Sequence, residues 1–140
     1  MDEHTDYGAM QAFKYYIATA MWAHQVGDDS LTQEMQTKDC EGCKVFMETY
    51  RDAVKNETLW SEFSLQEVKS ETLPTESKLY DLQVNYNFTT TPHMRPHESG
   101  GPLEEVGELE YATAGGMKWI DGHWKVAGLS TKWGPDVFTY

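Results

Sequence analysis

The sequence predicts an α+β domain in which helices cover one face of a bent antiparallel sheet. Three observations carry this. Apolar residues recur at three- and four-residue steps in the first part of the chain, from Ala9 to Val54. After Thr58 the spacing changes to two. Asp121-Gly122 then stands between two tryptophan-bearing segments, a two-residue turn signal of the kind that closes hairpins.

The first helix is expected to start at Thr5 or Asp6, either of which can cap it. Ala9, Phe13, Tyr16, Ile17 and Ala20 form its buried stripe, and Tyr15 and Trp22 fall outside that stripe. Gly27 supplies the left-handed residue that ends it. Ser30 with Gln33 reads as a capping box for a short helix through Met35. A second long helix is expected from Asp39 as N-cap, with Cys43, Phe46, Met47, Tyr50 and Val54 on its apolar face, closing at Lys55 and Asn56.

Phe63 and Leu65 open the first strand, and Pro74 and Glu76 mark a turn. The clearest strand places Tyr80, Leu82, Val84, Tyr86 and Phe88 on a dry face and Asp81, Gln83, Asn85 and Asn87 on a wet one. Thr91 to Pro102, with three prolines and two glycines, is expected to be a long loop. Leu109, Tyr111 and Thr113 lie on the next strand, which Gly115-Gly116 bulges. Counting from the turn sets Trp119 opposite Trp124 and Met117 opposite Val126. Residues 1–6 read as the stump of a tether, 7–130 as one domain, and 131–140 as a tail docked on it through Trp133, Val137 and Phe138.

With 140 residues the chain can bury one core. Eleven basic against 23 acidic residues leave a charge of −12, the wrong sign for nucleic acid or an anionic membrane surface. No apolar run approaches the length of a membrane span. The polar run Asp2-Glu3-His4-Thr5-Asp6 favours a protein displayed in the cell envelope, over a cytosolic one.

Four chemistries are open to Cys40 and Cys43: a structural disulfide, a redox pair, a pair of free buried thiols, or half of a Cys2His2 zinc site completed by His93 and His97. A structural disulfide is the plainest. Asp39 and Glu41 oppose thiolate formation, and Met94-Arg95-Pro96 between the histidines suits a loop. Glu104, Glu105, Glu108 and Glu110 read as a solvated strand face. On the expected dry side only His24 titrates near neutrality, and it reads as a core histidine. Asn56 and Asn87 fit the glycosylation pattern and are taken as chance matches.

The helix with Phe13 and Tyr16, Gly27-Asp28, Asp39-Cys40-Glu41-Gly42-Cys43 and Trp119-Ile120-Asp121-Gly122-His123-Trp124-Lys125-Val126 together resemble a family of actinobacterial secreted proteins. Many of these are lipoproteins, and they form a domain family of unknown function. The resemblance runs from Tyr7 to Leu129 and extends to the nuclear-transport-factor-2-like (cystatin-like) superfamily. It implies a sheet wrapped around helices into a cone, secretion, and a disulfide between Cys40 and Cys43. It implies no activity. Superfamily enzymes such as ketosteroid isomerase place a strand pair after the short helix, where this chain enters a cysteine-pinned helix, so no catalytic residue is carried over.

Three functions follow. The first is a non-catalytic interaction module on a lipid or peptide tether, its partner an unspecified protein, with Tyr15, Trp22, Trp60 or Trp133 in one surface patch. The second is a binder of a small hydrophobic ligand, or an enzyme, using a pocket lined by Tyr16, Ile17, Tyr50, Tyr80, Tyr86, Tyr111, Trp119 and Trp124. The third is an envelope thiol-disulfide protein. The first is preferred, and no metal or cofactor is expected.

Overall fold

The computed structural model describes residues 2–98 and 100–138. Helix α1 spans Asp6–Val26, α2 Ser30–Met35, α3 Glu41–Phe46 and α4 Glu48–Lys55. Strands follow as β1 Leu65–Leu73, β2 Leu82–Thr90, β3 His93–Pro96, β4 Leu103–Val106, β5 Leu109–Ile120 and β6 His123–Gly134. The main sheet is antiparallel in the order β1-β2-β5-β6, and β3 and β4 form a separate hairpin. Helices on one side of an antiparallel sheet are the α+β architecture that the two spacings predict.

Helix α1 is the rod of the core. Thr5 caps it, its hydroxyl accepting from the Gly8 N–H at 3.0 Å, and Gly27 ends it at φ +79°. All five stripe residues are buried: Ala9, Phe13, Tyr16, Ile17 and Ala20. The first four meet Leu82, Val84, Tyr86 and Phe88 of β2 and Tyr111 and Met117 of β5, all buried on one sheet face, while Ala20 packs with Met47 and Tyr50 of the α3–α4 corner. Gly115 makes the close approach possible. A Cβ there would lie 2.3 Å from the Phe13 ring, so a side chain would push the helix off the sheet.

The hairpin register is the expected one. Trp119 pairs with Trp124 and Met117 with Val126, across a turn with Asp121 at φ +52° and Gly122 at φ +82°. The register shifts between Gly116 and Met117, where the glycine pair bulges the strand.

Several local expectations are corrected. The second long helix is two helices, broken at Met47, which is buried with φ −90° and ψ 4°. After the break Ala53 faces inward and Val54 is exposed. Asp29, not Ser30, caps α2. The Gln33 side-chain amide donates to its carboxylate at 2.8 Å, and Asp28 accepts from the Ser30 N–H and hydroxyl. Cys40 replaces Asp39 as the cap of α3, its sulfur accepting from the Cys43 N–H at 3.2 Å. The expected loop from Thr91 to Pro102 contains β3, and its partner β4 begins just beyond it at Leu103, so the segment supplies one strand and the connection of a hairpin. Pro92 precedes β3, Pro96 is its last residue, and Pro102 precedes β4, so none interrupts a strand's interior.

Both ends of the described chain touch the body. The Trp124 indole donates to the Glu3 carbonyl at 2.8 Å, and His4 stacks on Trp119 at 4.5 Å. Trp133 lies within β6, and the Phe138 N–H donates to Glu110 at 3.0 Å. The docked-tail expectation for Thr139 and Tyr140, and the tether expectation for Met1, lie outside the described residues.

Gly42 locks α3 to β6. A Cβ on it would stand 1.8 Å from the Leu129 carbonyl oxygen, backbone that cannot yield without moving the strand. Gly42→Ala is therefore expected to destabilise the fold by roughly 1–3 kcal/mol, read as a lower urea midpoint with an unchanged m-value.

Candidate functional site

A cavity of about 340 Å³ opens between the α3–α4 corner and β6. Gly42, Val45, Phe46 and Thr49 form one wall, and Leu129, Ser130, Thr131 and Trp133 the other. Met21 and His24 of α1 and Tyr111 of β5 lie deeper, with Trp60 and Arg95 at one end. The volume lies in the range of small-molecule sites, and the lining is mostly apolar with a few polar groups.

The α3 wall is held covalently. Cys40 and Cys43 are disulfide-bonded and fully buried. This leaves no thiolate for zinc, and the two histidines are apart in role: His97 lies exposed beside Glu104 at 3.5 Å, while His93 is buried against Phe63. Among the described residues no cluster of His, Cys, Asp or Glu is placed to hold a metal ion. The sulfurs' burial also shields them from attack by an exchanging thiol.

Arg95 is the residue the sequence reading missed. Only 3% of it is exposed. Its guanidinium carbon lies 3.8 Å from the centre of the Trp60 ring and 4.4 Å from that of Trp133, inside cation–π range of both. One N–H donates to the Tyr111 hydroxyl at 2.7 Å. Phe88, Tyr111 and Trp133 continue the assembly as a stack of rings 4.9 and 6.0 Å apart. The expected interior with His24 as its one titratable residue is thus corrected: His93 and Arg95 are buried there as well. The signal was present in the period-two run His93-Met94-Arg95, which places His93 and Arg95 on one face. Three prolines and two glycines nearby masked it.

The two buried histidines are neutral. Near Arg95, the His24 pKa is lowered to about 4, first by burial, against the Ala20 carbonyl, which raises it, with the positive charge of Arg95 a smaller lowering influence. Because a carbonyl only accepts, Nδ1 carries the proton and donates to Ala20 O at 2.7 Å. Nε2 then accepts from the Thr49 hydroxyl at 2.7 Å. A base this weak is a poor activator of a hydroxyl at neutral pH. Burial likewise lowers the His93 pKa. Its Nδ1 donates to the Thr91 carbonyl, and its Nε2 has no protein partner among the described residues.

Of the residues expected to line a pocket, Tyr111 reaches this cavity. Tyr16 and Ile17 are fully buried in the core, with the Tyr16 hydroxyl donating to Gln36 at 2.9 Å. The Tyr50 hydroxyl donates to the Gly27 carbonyl at 3.2 Å, and Tyr86 packs on Phe88. Tyr80 packs over Gly116 and Gly128 instead, since a Cβ on either would strike its ring. Trp119 and Trp124 meet at the hairpin end beside His4. Of the four aromatics expected in one surface patch, Trp60 is buried beside Arg95, Trp133 is 48% exposed there, and Tyr15 and Trp22 are exposed on α1.

His24 sets a pH dependence. Its folded pKa lies below its unfolded value, so the unfolded chain takes up the proton first as pH falls. Stability is full above about pH 6.5 and declines toward pH 4. The expected loss between pH 7.5 and 5 is about 2 kcal/mol, with His93 adding in the same direction. Urea titrations at those two pH values check it, and His24→Gln should flatten the difference.

Comparison with solved structures shows the same architecture elsewhere. The intermembrane-space region of the chloroplast protein ARC6 superposes with a TM-score of 0.56 at 12% identity, covering 92% of this chain and 97% of that one. A candidate polyketide cyclase from Silicibacter sp. TM1040 gives 0.48 at 12% identity, covering 92% and 93%. AclR, a candidate hydroxylase from Streptomyces galilaeus, gives 0.47 at 13% identity, covering 90% and 81%. At these identities the likeness to the ARC6 region concerns the fold alone. No curated protein matches the sequence. One family does match, over residues 1–130, and the chain belongs to it: the family of unknown function DUF6318.

Proposed function

We propose that this domain is a non-catalytic binding module that holds a small, largely apolar molecule in the cavity between the α3–α4 corner and β6. One observation carries the reading. The cavity of about 340 Å³ is walled mainly by Met21, Phe46, Trp60, Leu129 and Trp133, and its histidine is neutral with both ring nitrogens engaged. Such a lining offers apolar burial and orientation, and no group poised to move a proton at neutral pH.

The preference for an interaction module gives way here to the ligand-binding alternative. Trp60, one of the aromatics offered for that surface patch, is buried at the cavity, and Trp133 lines the same cavity. Display in an oxidising compartment outside the cytosol belongs to the same proposal and is supported by the buried disulfide. Attachment through a lipid or peptide tether ahead of Asp2 is the finer form of it, supported by the resemblance to secreted lipoproteins.

The test uses N-phenyl-1-naphthylamine, an uncharged apolar dye that brightens when buried. We expect saturable binding with a one-to-one stoichiometry. Val45 is 62% exposed at the cavity wall, so Val45→Trp fills the opening with little cost to the fold. It should weaken dye binding at least about tenfold, roughly 1.4 kcal/mol, with the unfolding midpoint unchanged. Equal affinity in the variant sinks the assignment.

A further inference from the structure

We propose that the occupant of this cavity is an apolar molecule with a carboxylate head, and that Arg95 grips the carboxylate. The inference rests on the cavity being a binding site and adds the chemical class of what it binds.

Arg95 is a cation taken almost wholly out of water. Such groups are ordinarily paired with a carboxylate, because an uncompensated buried charge is among the costliest features a fold can carry. Among the described residues none of the ion pairs includes it. Glu104, its cross-strand partner in the hairpin, turns to His97 instead. The guanidinium has five N–H donors and Tyr111 takes one. Indole faces of Trp60 and Trp133 stabilise the charge and fix the plane, but they accept no in-plane hydrogen bond. Among the described residues no carboxylate is paired with it.

The surroundings choose among anions. A planar guanidinium held by aromatic rings matches the two oxygens of a carboxylate as a fork. Tyr111 adds a second donor, since its oxygen accepts from Arg95 and its own proton is free to reach the ligand; burial raises its pKa and keeps that proton in place. A polyphosphate is disfavoured twice. The chain carries −12 overall, and the mostly apolar walls hold no Lys or Arg beyond the one guanidinium. One negative charge on a greasy body satisfies both constraints. Asp52 and Glu98 line the adjoining cleft on the Arg95 side, and either one swinging onto the guanidinium is the competing arrangement.

The experiment compares 2-naphthoate with its uncharged near-isostere 2-naphthamide by titration calorimetry at pH 7 and physiological salt. We expect the wild-type protein to prefer naphthoate by at least about tenfold. Arg95→Gln should remove the preference by weakening naphthoate alone, and Arg95→Lys should keep part of it. Tyr111→Phe retains the ring stack and serves if the arginine variants fail to fold; it should weaken naphthoate severalfold and leave naphthamide unchanged. Equal affinities in the wild type overturn the inference while leaving the cavity reading intact, as does binding of N-phenyl-1-naphthylamine without naphthoate. Failure of all three compounds overturns both.

Discussion

The structure depends on one close contact, the seating of α1 against the β2–β5 face at Phe13 and Gly115. The ring occupies the volume a side chain at Gly115 would need. Around that notch Tyr16 and Ile17 of the helix and Val84, Phe88 and Tyr111 of the strands bury a continuous apolar layer. Burial of this kind contributes about 25 cal/mol per Å² of apolar surface. With the rod so placed, Met21 and His24, further along it, come to lie under the α3–α4 corner. The cavity is the space left where that corner bridges to β6.

Much of this was legible because period and turn chemistry are local properties. The α1 stripe, the alternation of β2 and the Trp119–Trp124 register follow from side-chain geometry alone. The break at Met47 was not legible, since Cys43 to Val54 satisfies the helical period without it. Nor was the β3–β4 hairpin, whose proline and glycine content mimics a loop while its prolines sit at or beside the strand ends. Arg95 was hidden for the same reason. An arginine in a presumed loop is read as solvated, and only the pairing of His93 and Arg95 on one strand face turns it inward.

The interior combines two tendencies that usually exclude one another. Desolvation has driven His24 and His93 neutral. Guanidinium cannot follow them, because its proton affinity keeps it charged in any protein environment. The fold instead surrounds it with indole faces and a phenol. Two residues titrate away their charge and the third is accommodated, within one buried cluster.

The disulfide and Gly42 have a consequence for exchange of whatever the cavity holds. The wall they build is closed by a covalent ring at Cys40–Cys43 and by direct backbone contact with Leu129. Its shape therefore does not wait on an occupant, and little ordering entropy is lost when one arrives. Arrival is then governed by encounter, and residence time by the strength of the grip.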